Sequence, residues 1–303
     1  MCAIDIVIVN WNAGDLLLNC VKSVLKSDLS NNSYSLYILD NNSTDSSISH
    51  LENISNNVHI IRSNENLGFG KACNQGVRNG NSKYILFLNP DTLVEQMTIT
   101  DSVNFLENNP DITILGCKHY DENGKTRISC SRFPTFRHSL NDIFGLSKIL
   151  PKLFKPATLM TDWDHMESKF VDQVMGAFFL IRRTDFEKVK GFDEQFFVYY
   201  EDSDLARRII NNGGSVFYNS EISIFHKGMG TTKEISGRRL FYSLRSQLKY
   251  HRKYFNVYQR ILLAVLIHSV EFPLRLLQAF LKEGSSGARE VIRGFILLHS
   301  QNS

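Results

Sequence analysis

The chain is poor in the features that mark fibrous, disulfide-bonded or membrane-spanning proteins. Six prolines and eighteen glycines in 303 residues, with no fixed period, exclude a collagen-like rod. Five cysteines (Cys2, Cys20, Cys73, Cys117 and Cys130) are scattered and never form a Cys-x-x-Cys pair. That argues against a disulfide scaffold and against a zinc or redox site, and predicts reduced thiols in a cytosolic protein. The N-terminus has no basic start and no small-residue cleavage site, and Asp5 interrupts its apolar residues, so no signal peptide is expected. The longest uninterrupted apolar run, Ile261 to Ile267, falls far short of the ~20 residues that span a bilayer. These absences predict a soluble or peripheral protein.

Charge is present, and it is unevenly placed. The net charge is only +3. From His226 to Ser303, however, thirteen Lys and Arg face four Asp and Glu, a net +9, which leaves −6 for residues 1–225. An acidic body therefore carries a basic tail.

The body alternates between two periods. Ala3–Val9 is β-branched and apolar, as in a buried parallel strand. Asp15–Lys26 spaces Leu17, Cys20, Val21 and Val24 along one helical face. Strands are predicted at Ser35–Leu39, Val58–Arg62 and Tyr84–Leu88, with a helix over about 68–78 between the last two. Four such alternations within about 90 residues predict an α/β fold with a doubly wound sheet, whose ligands bind beyond the C-terminal strand ends. Further strands are predicted at Ile112–Lys118, Gly176–Arg182 and Glu221–Phe225, and a helix at Asp202–Asn211. Phe133–Lys169, with Pro134, Pro151 and Pro156, predicts a long excursion with short helices. From Ser236 onward the pattern is helical, with breaks expected at Pro273 and at Gly284–Gly287.

Polar clusters sit at the predicted strand ends, and each has a structural alternative. Asp40-Asn41-Asn42-Ser43-Thr44-Asp45 can meet a base or ribose, or can merely cap a helix. Asn66-x-Gly68-x-Gly70, with Asn74 and Gly76, permits close backbone approach by a ligand or tight helix–sheet packing. It is not the dinucleotide Gly-x-Gly-x-x-Gly fingerprint. Asn89-Pro90-Asp91 offers a carboxylate suited to a hard divalent cation, or a turn. Phe196 to Leu205 (FFVYYEDSDL) places an aromatic run before paired acids at a helix start. Asp202 suits a general base, with Glu201 and Asp204 as alternates. The structural alternative makes Asp202 an N-cap and Asp204 a partner for Arg207 or Arg208. His226, followed by Gly228 and Gly230, is a metal-ligand candidate or a structural histidine.

Taken together these segments, from Ile4 to about Gly230, resemble glycosyltransferase family 2, the inverting, nucleotide-sugar-dependent enzymes of GT-A fold. Val7-Ile8-Val9-Asn10-Trp11-Asn12 is similar to the family's opening strand and turn. Asp40-Asn41-Asn42-Ser43-x-Asp45 resembles its nucleoside-binding segment. Asn89-Pro90-Asp91 stands where the family has Asp-x-Asp, with Asn in place of the first Asp. Asn-Trp-Asn, Asn-Pro-Asp and Tyr-x-Glu-Asp-x-Asp-Leu are most similar to bacterial rhamnosyltransferases of O-antigen and related surface polysaccharides. The resemblance implies donor contacts from Asn10, Asn12, Asp40, Asn42, Asn66, Gly68, Asn74 and Asn89. It implies Mg2+ or Mn2+ on Asp91 and His226, and catalysis by Asp202. The implied donor is dTDP-rhamnose and the implied acceptor a glycan, lipid-linked, at the cytoplasmic face of the inner membrane.

This reading assigns residues 1–230 to the GT-A domain, with a nucleotide-sugar half to about 115 and an acceptor half over 116–230, and residues 231–303 to a basic helical extension. The extension interleaves apolar residues with Arg260 and Arg275 and predicts contact with a membrane surface; a helical cap or a homodimer face is the alternative. No nucleic-acid partner is expected. A nucleotide-sugar-binding but inactive scaffold subunit is the competing functional class.

Overall fold

The computed structural model describes residues 2–29, 32–150, 152–154, 156, 158–228 and 236–300. The joint placed at 230/231, with Gly230 and Lys233, and Pro151 lie outside these residues.

The first 120 residues hold the predicted strands and two predicted helices, with two unpredicted elements, β5 and α3: β1 (Cys2–Asn10), α1 (Asp15–Leu25), β2 (Asn32–Asp40), β3 (Val58–Arg62), α2 (Phe69–Val77), β4 (Tyr84–Leu88), β5 (Thr92–Val94), α3 (Thr98–Asn108) and β6 (Ile114–Tyr120). Between β2 and β3 the helix expected after Asp40–Asp45 is replaced by a single 3-10 turn, Ser49–Leu51. Short strands β7 (Thr126–Arg127) and β8 (Cys130–Ser131), helices α4 (Phe136–Ile143) and α5 (Leu146–Ile149), and strands β9 (Lys169–Phe170) and β10 (Gln173–Val174) fill the expected excursion. The chain then forms β11 (Phe178–Arg182), α6 (Arg183–Lys188), α7 (Glu201–Asn211) and β12 (Val216–His226), followed by α8 (Ser236–Tyr254), α9 (Val257–Leu266) and α10 (Phe272–Ser300).

The main sheet runs β3-β2-β1-β4-β11-β6-β12-β5. Its first four strands pair in parallel, whereas β11 runs antiparallel to both β4 and β6. The sheet is therefore mixed and doubly wound. Strands β1 and β4 read as continuous apolar runs because both faces are covered. Asp5, the acid in β1, is buried yet satisfied: it accepts from Ser82 and pairs with Arg183 Nη2 at 2.6 Å. Such pairing is what allows a charge inside an apolar strand. Helix α2 packs onto β1 through Gly76, where a Cβ would meet Val7 Cγ1 at 2.6 Å. Cys20, Cys73, Cys117 and Cys130 are buried free thiols.

The chain divides into two compact units. One holds Met1–Arg132, Trp163–Glu194 and Glu201–Thr231; the other holds Phe133–Asp162, Gln195–Tyr200 and Thr232–Ser303. The helical unit thus draws in two segments from the middle of the chain. Phe196–Tyr200 is held within it: Phe197 stacks on Tyr242, Tyr200 lies against Tyr250, and Ser246 Oγ donates to Val198 O at 2.8 Å. Its core joins Ile143 of α4 to Phe241, Leu244, Leu263, Ile267, Phe295 and Leu298.

Local sequence explains the helix boundaries here. Asn256 and Gln259 form a reciprocal capping box that starts α9. Pro273 does not break the helix as expected. A π-turn over Ile267–Glu271 widens the preceding turn, which accommodates the missing N–H and the ring, and Pro273 sits in the first turn of α10. Gly284 does break the helical path, with φ 63° and ψ −147°.

Candidate active site

Parallel registry brings the first polar cluster together. Asn10 and Asp40 are paired residues at the ends of β1 and β2. Asn10 is fully buried, and its Nδ2 lies within hydrogen-bond distance of Asp40 Oδ1 (2.9 Å), Ser43 Oγ (3.0 Å) and Ser47 Oγ (2.8 Å). The Asn12 N–H donates to Ser43 Oγ, and Asn12 Oδ1 accepts from the Thr44 N–H at 2.7 Å. Asp45 closes the turn by accepting from Gly14 N–H and Ser47 Oγ. Desolvation opposes ionisation of Asp45, but these hydrogen bonds outweigh it and lower its pKa.

Of the Asn41-Asn42 doublet, the member that enters this network is Asn41, not Asn42, the one the resemblance implicates. Asn42 is exposed in a left-handed turn, φ 61°, a conformation that asparagine tolerates. Asn41 is buried, and it joins the second cluster to the first. Its Nδ2 donates to Asn66 Oδ1 (2.9 Å) and Gly68 O (3.1 Å), while its Oδ1 accepts from Leu67 N–H (2.7 Å). Asn66 Oδ1 also accepts from Gly68 N–H, and Gly68 takes the positive φ, 79°, that precedes α2. The two loops are one hydrogen-bonded surface. Adjacent asparagines beyond a strand end carry no periodicity that tells which faces inward.

Asn74 has a different occupation from the one expected. Its amide donates to Phe192 O and Glu194 Oε1 and accepts from Phe192 N–H, which clips α2 to the turn at Gly191–Glu194. All its polar atoms are engaged in that clip.

The third cluster forms where β5 pairs with β12, placing Thr92 opposite His226. Asp91 Oδ1 lies 3.4 Å from His226 Nε2, with both side chains about nine-tenths buried. The Lys227 N–H donates to Asp91 O. His119 on β6, unmarked by any sequence motif, packs edge-on to His226 with ring centroids 5.2 Å apart. Burial, then the neighbouring His226, His165 and Arg127, holds His119 well below the usual histidine pKa, so it stays neutral.

The acids of α7 have three different environments. Asp202 accepts from Ser203 N–H at 2.8 Å and from the Gly176 backbone and the Gln173 side chain. Burial nevertheless raises its pKa. Glu201 is 5% exposed, its Oε2 has no partner, and burial plus the charge of Asp202 drives its pKa far up. Two neighbouring carboxyls pushed apart in this way favour one ionised and one neutral group. Asp204 is different again: fully buried, it is ion-paired with Arg208 at 2.7 Å, which also donates to Val189 O. The i,i+4 alternative describes its role, and the sealed pair removes Asp204 from the candidate bases.

One backbone segment connects the last two clusters. Asn89 N–H donates to Ala177 O at 3.0 Å, and Gly176 binds the Asp202 carboxylate. The antiparallel pairing of β11 with β4, Phe178 opposite Leu88, fixes that junction. The end of β4, its Asn89–Asp91 turn and the start of α7 therefore adjoin residues 176–177.

The family model for glycosyl transferase family 2 matches residues 5–199. The chain belongs to this family. The chain also resembles the rhamnosyltransferase WbbL of Escherichia coli K12, 25% identical over 203 residues covering 66% of this chain and 73% of that protein. An N-acetylglucosaminyl-diphospho-decaprenol L-rhamnosyltransferase of Mycobacterium tuberculosis H37Rv is 27% identical over 215 residues, 66% of this chain and 69% of the relative. Among solved structures, the mannosyltransferase PcManGT from Pyrobaculum calidifontis, in complex with GDP-Man and Mn2+, aligns with a TM-score of 0.56. The alignment is 12% identical and covers 99% of this chain and 88% of that one. GalNAc-T7 with UDP, GalNAc and Mn2+ also gives 0.56, at 16% identity over 75% of this chain, which spans only 44% of that structure. These likenesses support the GT-A type of mixed α/β fold expected from the sequence.

Proposed function

We propose that this family-2 glycosyltransferase moves L-rhamnose, with inversion, from dTDP-rhamnose to a hydroxyl of a lipid-linked glycan at the cytoplasmic face of the inner membrane, in surface-polysaccharide synthesis. The observation that carries the reading is the junction at residues 176–177. It sets the hydrogen-bonded carboxylate of Asp202 beside the Asn89–Asp91 turn, whose Asp91 meets His226. The names of the bacterial relatives support the sugar and the lipid-linked acceptor.

The network of Asn10, Asn12, Asp40, Asn41 and Asn66, with Gly68, Asn89 and the exposed Asn42, would hold the nucleoside and sugar. Asp91 and His226 would hold the cation: a buried carboxylate oxygen and an imidazole nitrogen 3.4 Å apart are donors that suit Mn2+ or Mg2+. Among the described residues no third His, Cys, Asp or Glu joins them. Water and the substrate phosphates would have to complete its coordination. When bound, such a cation supplies positive charge against the departing diphosphate. Both structural neighbours were solved with Mn2+.

Asp202 accepts the acceptor hydroxyl proton. The freed oxygen attacks the anomeric carbon opposite the diphosphate, whose C–O bond breaks, and the configuration inverts. Burial raises the basicity of Asp202, and the bonds from Ser203 and Gly176 fix its direction.

A panel of nucleotide sugars with Mg2+ or Mn2+, read by released nucleoside diphosphate, tests the proposal. dTDP-rhamnose should be turned over, and EDTA should stop it. Asp202→Asn should lose about 10²–10⁴-fold in transfer while still binding donor. Binding without turnover in the native chain would favour a scaffold subunit; near-normal transfer by the Asn variant would remove Asp202 from the mechanism.

A further inference from the structure

The helical unit leaves a large apolar surface open. Ile261 and Val265 of α9, and Leu277, Leu281, Ile292 and Ile296 of α10, are all exposed, from 40% to 73%. Within each helical stretch they recur at spacings of three or four and form one stripe per helix. The opposite sides of α9 and α10 supply Leu263 and Leu298 to the unit's core. The outward stripe is therefore not a displaced core face. It is a second apolar face on helices that already have one. Ile292 and Ile296 also line a cleft of about 640 Å³ with Phe272 and Phe295, so part of this surface is concave.

Basic side chains flank the stripe. Lys282, Arg289 and Arg293 are exposed on α10, beside the apolar positions. Of the acids nearby, Glu271 pairs with Arg275 and Glu290 with Arg293 and Gly237 N–H, while Glu283 is exposed beside Lys282. We infer that this face lies in the headgroup plane of an anionic bilayer, with the stripe among the acyl chains and the basic residues at the phosphates. An in-plane amphipathic helix needs this combination of a continuous apolar stripe and flanking cations.

Charge decides between the bilayer and a second copy of the chain. A two-fold interface brings the same patch against itself, which would set Lys282 and Arg289 among their own copies. Anionic phosphates complement them instead. Packing decides between lying and crossing. By length and composition alone Val257–Ser300 could span a bilayer. One side of it, however, is committed to the protein core, and Gly284 breaks it next to Lys282 and Glu283. The inference deepens the membrane-face part of the transfer reading, and its test is separate from transfer.

The test is flotation of the full chain with phosphatidylcholine vesicles, neutral or containing one part phosphatidylglycerol in three. Wild type should float with the anionic vesicles and about tenfold less with neutral ones. Leu277→Glu with Leu281→Glu should abolish flotation. Lys282→Glu with Arg289→Glu should weaken it on anionic vesicles by about tenfold or more, with an unchanged melting temperature as the folding control. Equal flotation on both vesicles by wild type and the charge variant would overturn the inference, as would no flotation at all. A concentration-dependent dimer that the Leu277/Leu281 variant dissociates, without vesicle binding, would assign the face to a second copy. Resistance of the cellular protein to alkaline carbonate extraction would show a spanning helix. Transfer to a soluble acceptor is measured separately, so either reading can fail alone.

Discussion

The two units treat polarity in opposite ways. In the α/β unit, several charged and amide groups go inside and find partners: Asp5 with Arg183 and Ser82, Asp204 with Arg208, Asn10 with Asp40 and two serines; Glu201 Oε2 is an exception. In the helical unit, large apolar groups come outside. Of twenty exposed large hydrophobic side chains among the described residues, sixteen belong to the helical unit, among them Leu150, Tyr258 and Phe280. Isolated exposed apolar groups are ordinary, but a concentrated patch marks an interaction surface. The contrast separates a unit that orders polar groups at its strand ends from one that leaves an apolar face open.

Four experiments can break or sharpen that contrast. The largest stability effect is expected in the α/β unit from Asp204→Ala, which strands Arg208. Breaking such a buried pair costs about 3–5 kcal/mol, measured by urea unfolding; a loss under 1 kcal/mol would deny that the pair is sealed. Next comes acid sensitivity of the helical unit. His251 is buried beside Phe255 with both ring nitrogens unpartnered, and burial pushes its pKa down to about 4. A depressed pKa means that its contribution is complete above about pH 6.5 and is lost as pH falls through 4, up to about 3 kcal/mol in all. His251→Leu should therefore gain on wild type as pH falls from 7 to 4.5, and parallel pH curves would remove His251 as the sensor.

Asn41→Ala should cost about 1–3 kcal/mol by leaving the Leu67 N–H and Gly68 O without their partner. It should also raise the KM for donor more than it lowers kcat. An unchanged KM would separate this network from the donor. The last is a pH trend at Glu201. Its raised pKa makes the neutral form the stable one, so its contribution is present at low pH and is lost as pH rises toward the folded value. Glu201→Gln should gain on wild type in melting temperature from pH 5 to pH 8. A widening deficit would mean that Glu201 is held as the anion.

Much of this was legible in the chain. Continuous β-branched and apolar runs announce β1 and β4, and period-3.6 apolar spacing announces α1, because burial dictates composition along the element. The motif residues Asp40, Asn66, Asp91 and Asp202 stand at element ends, where Asp and Asn recur for local hydrogen-bonding reasons that any reader can weigh. Asn41 and His119 escaped because their roles depend on partners at 25 or more positions away, or on a strand register. Asn74 and Asp204 show the ambiguity that remains, because an amide or carboxyl in a motif looks the same whether it meets a ligand, a main chain or an arginine.

By itself the sequence determined the alternating α/β plan, the uneven charge and the family, since these depend on local spacing and on residue types in a fixed order. The tertiary structure decided which of those residues meet. Parallel pairing brings Asn10 to Asp40, and the antiparallel β11 brings residues 176–177 between Asn89 and Asp202. It also decided which helical face stays open. Two apolar stripes on one helix are indistinguishable in sequence, and only packing against Ile143 and Phe241 shows which is core. The physical reason is the same in each case: burial and hydrogen bonding are properties of pairs of residues, and the pairs are made by the fold.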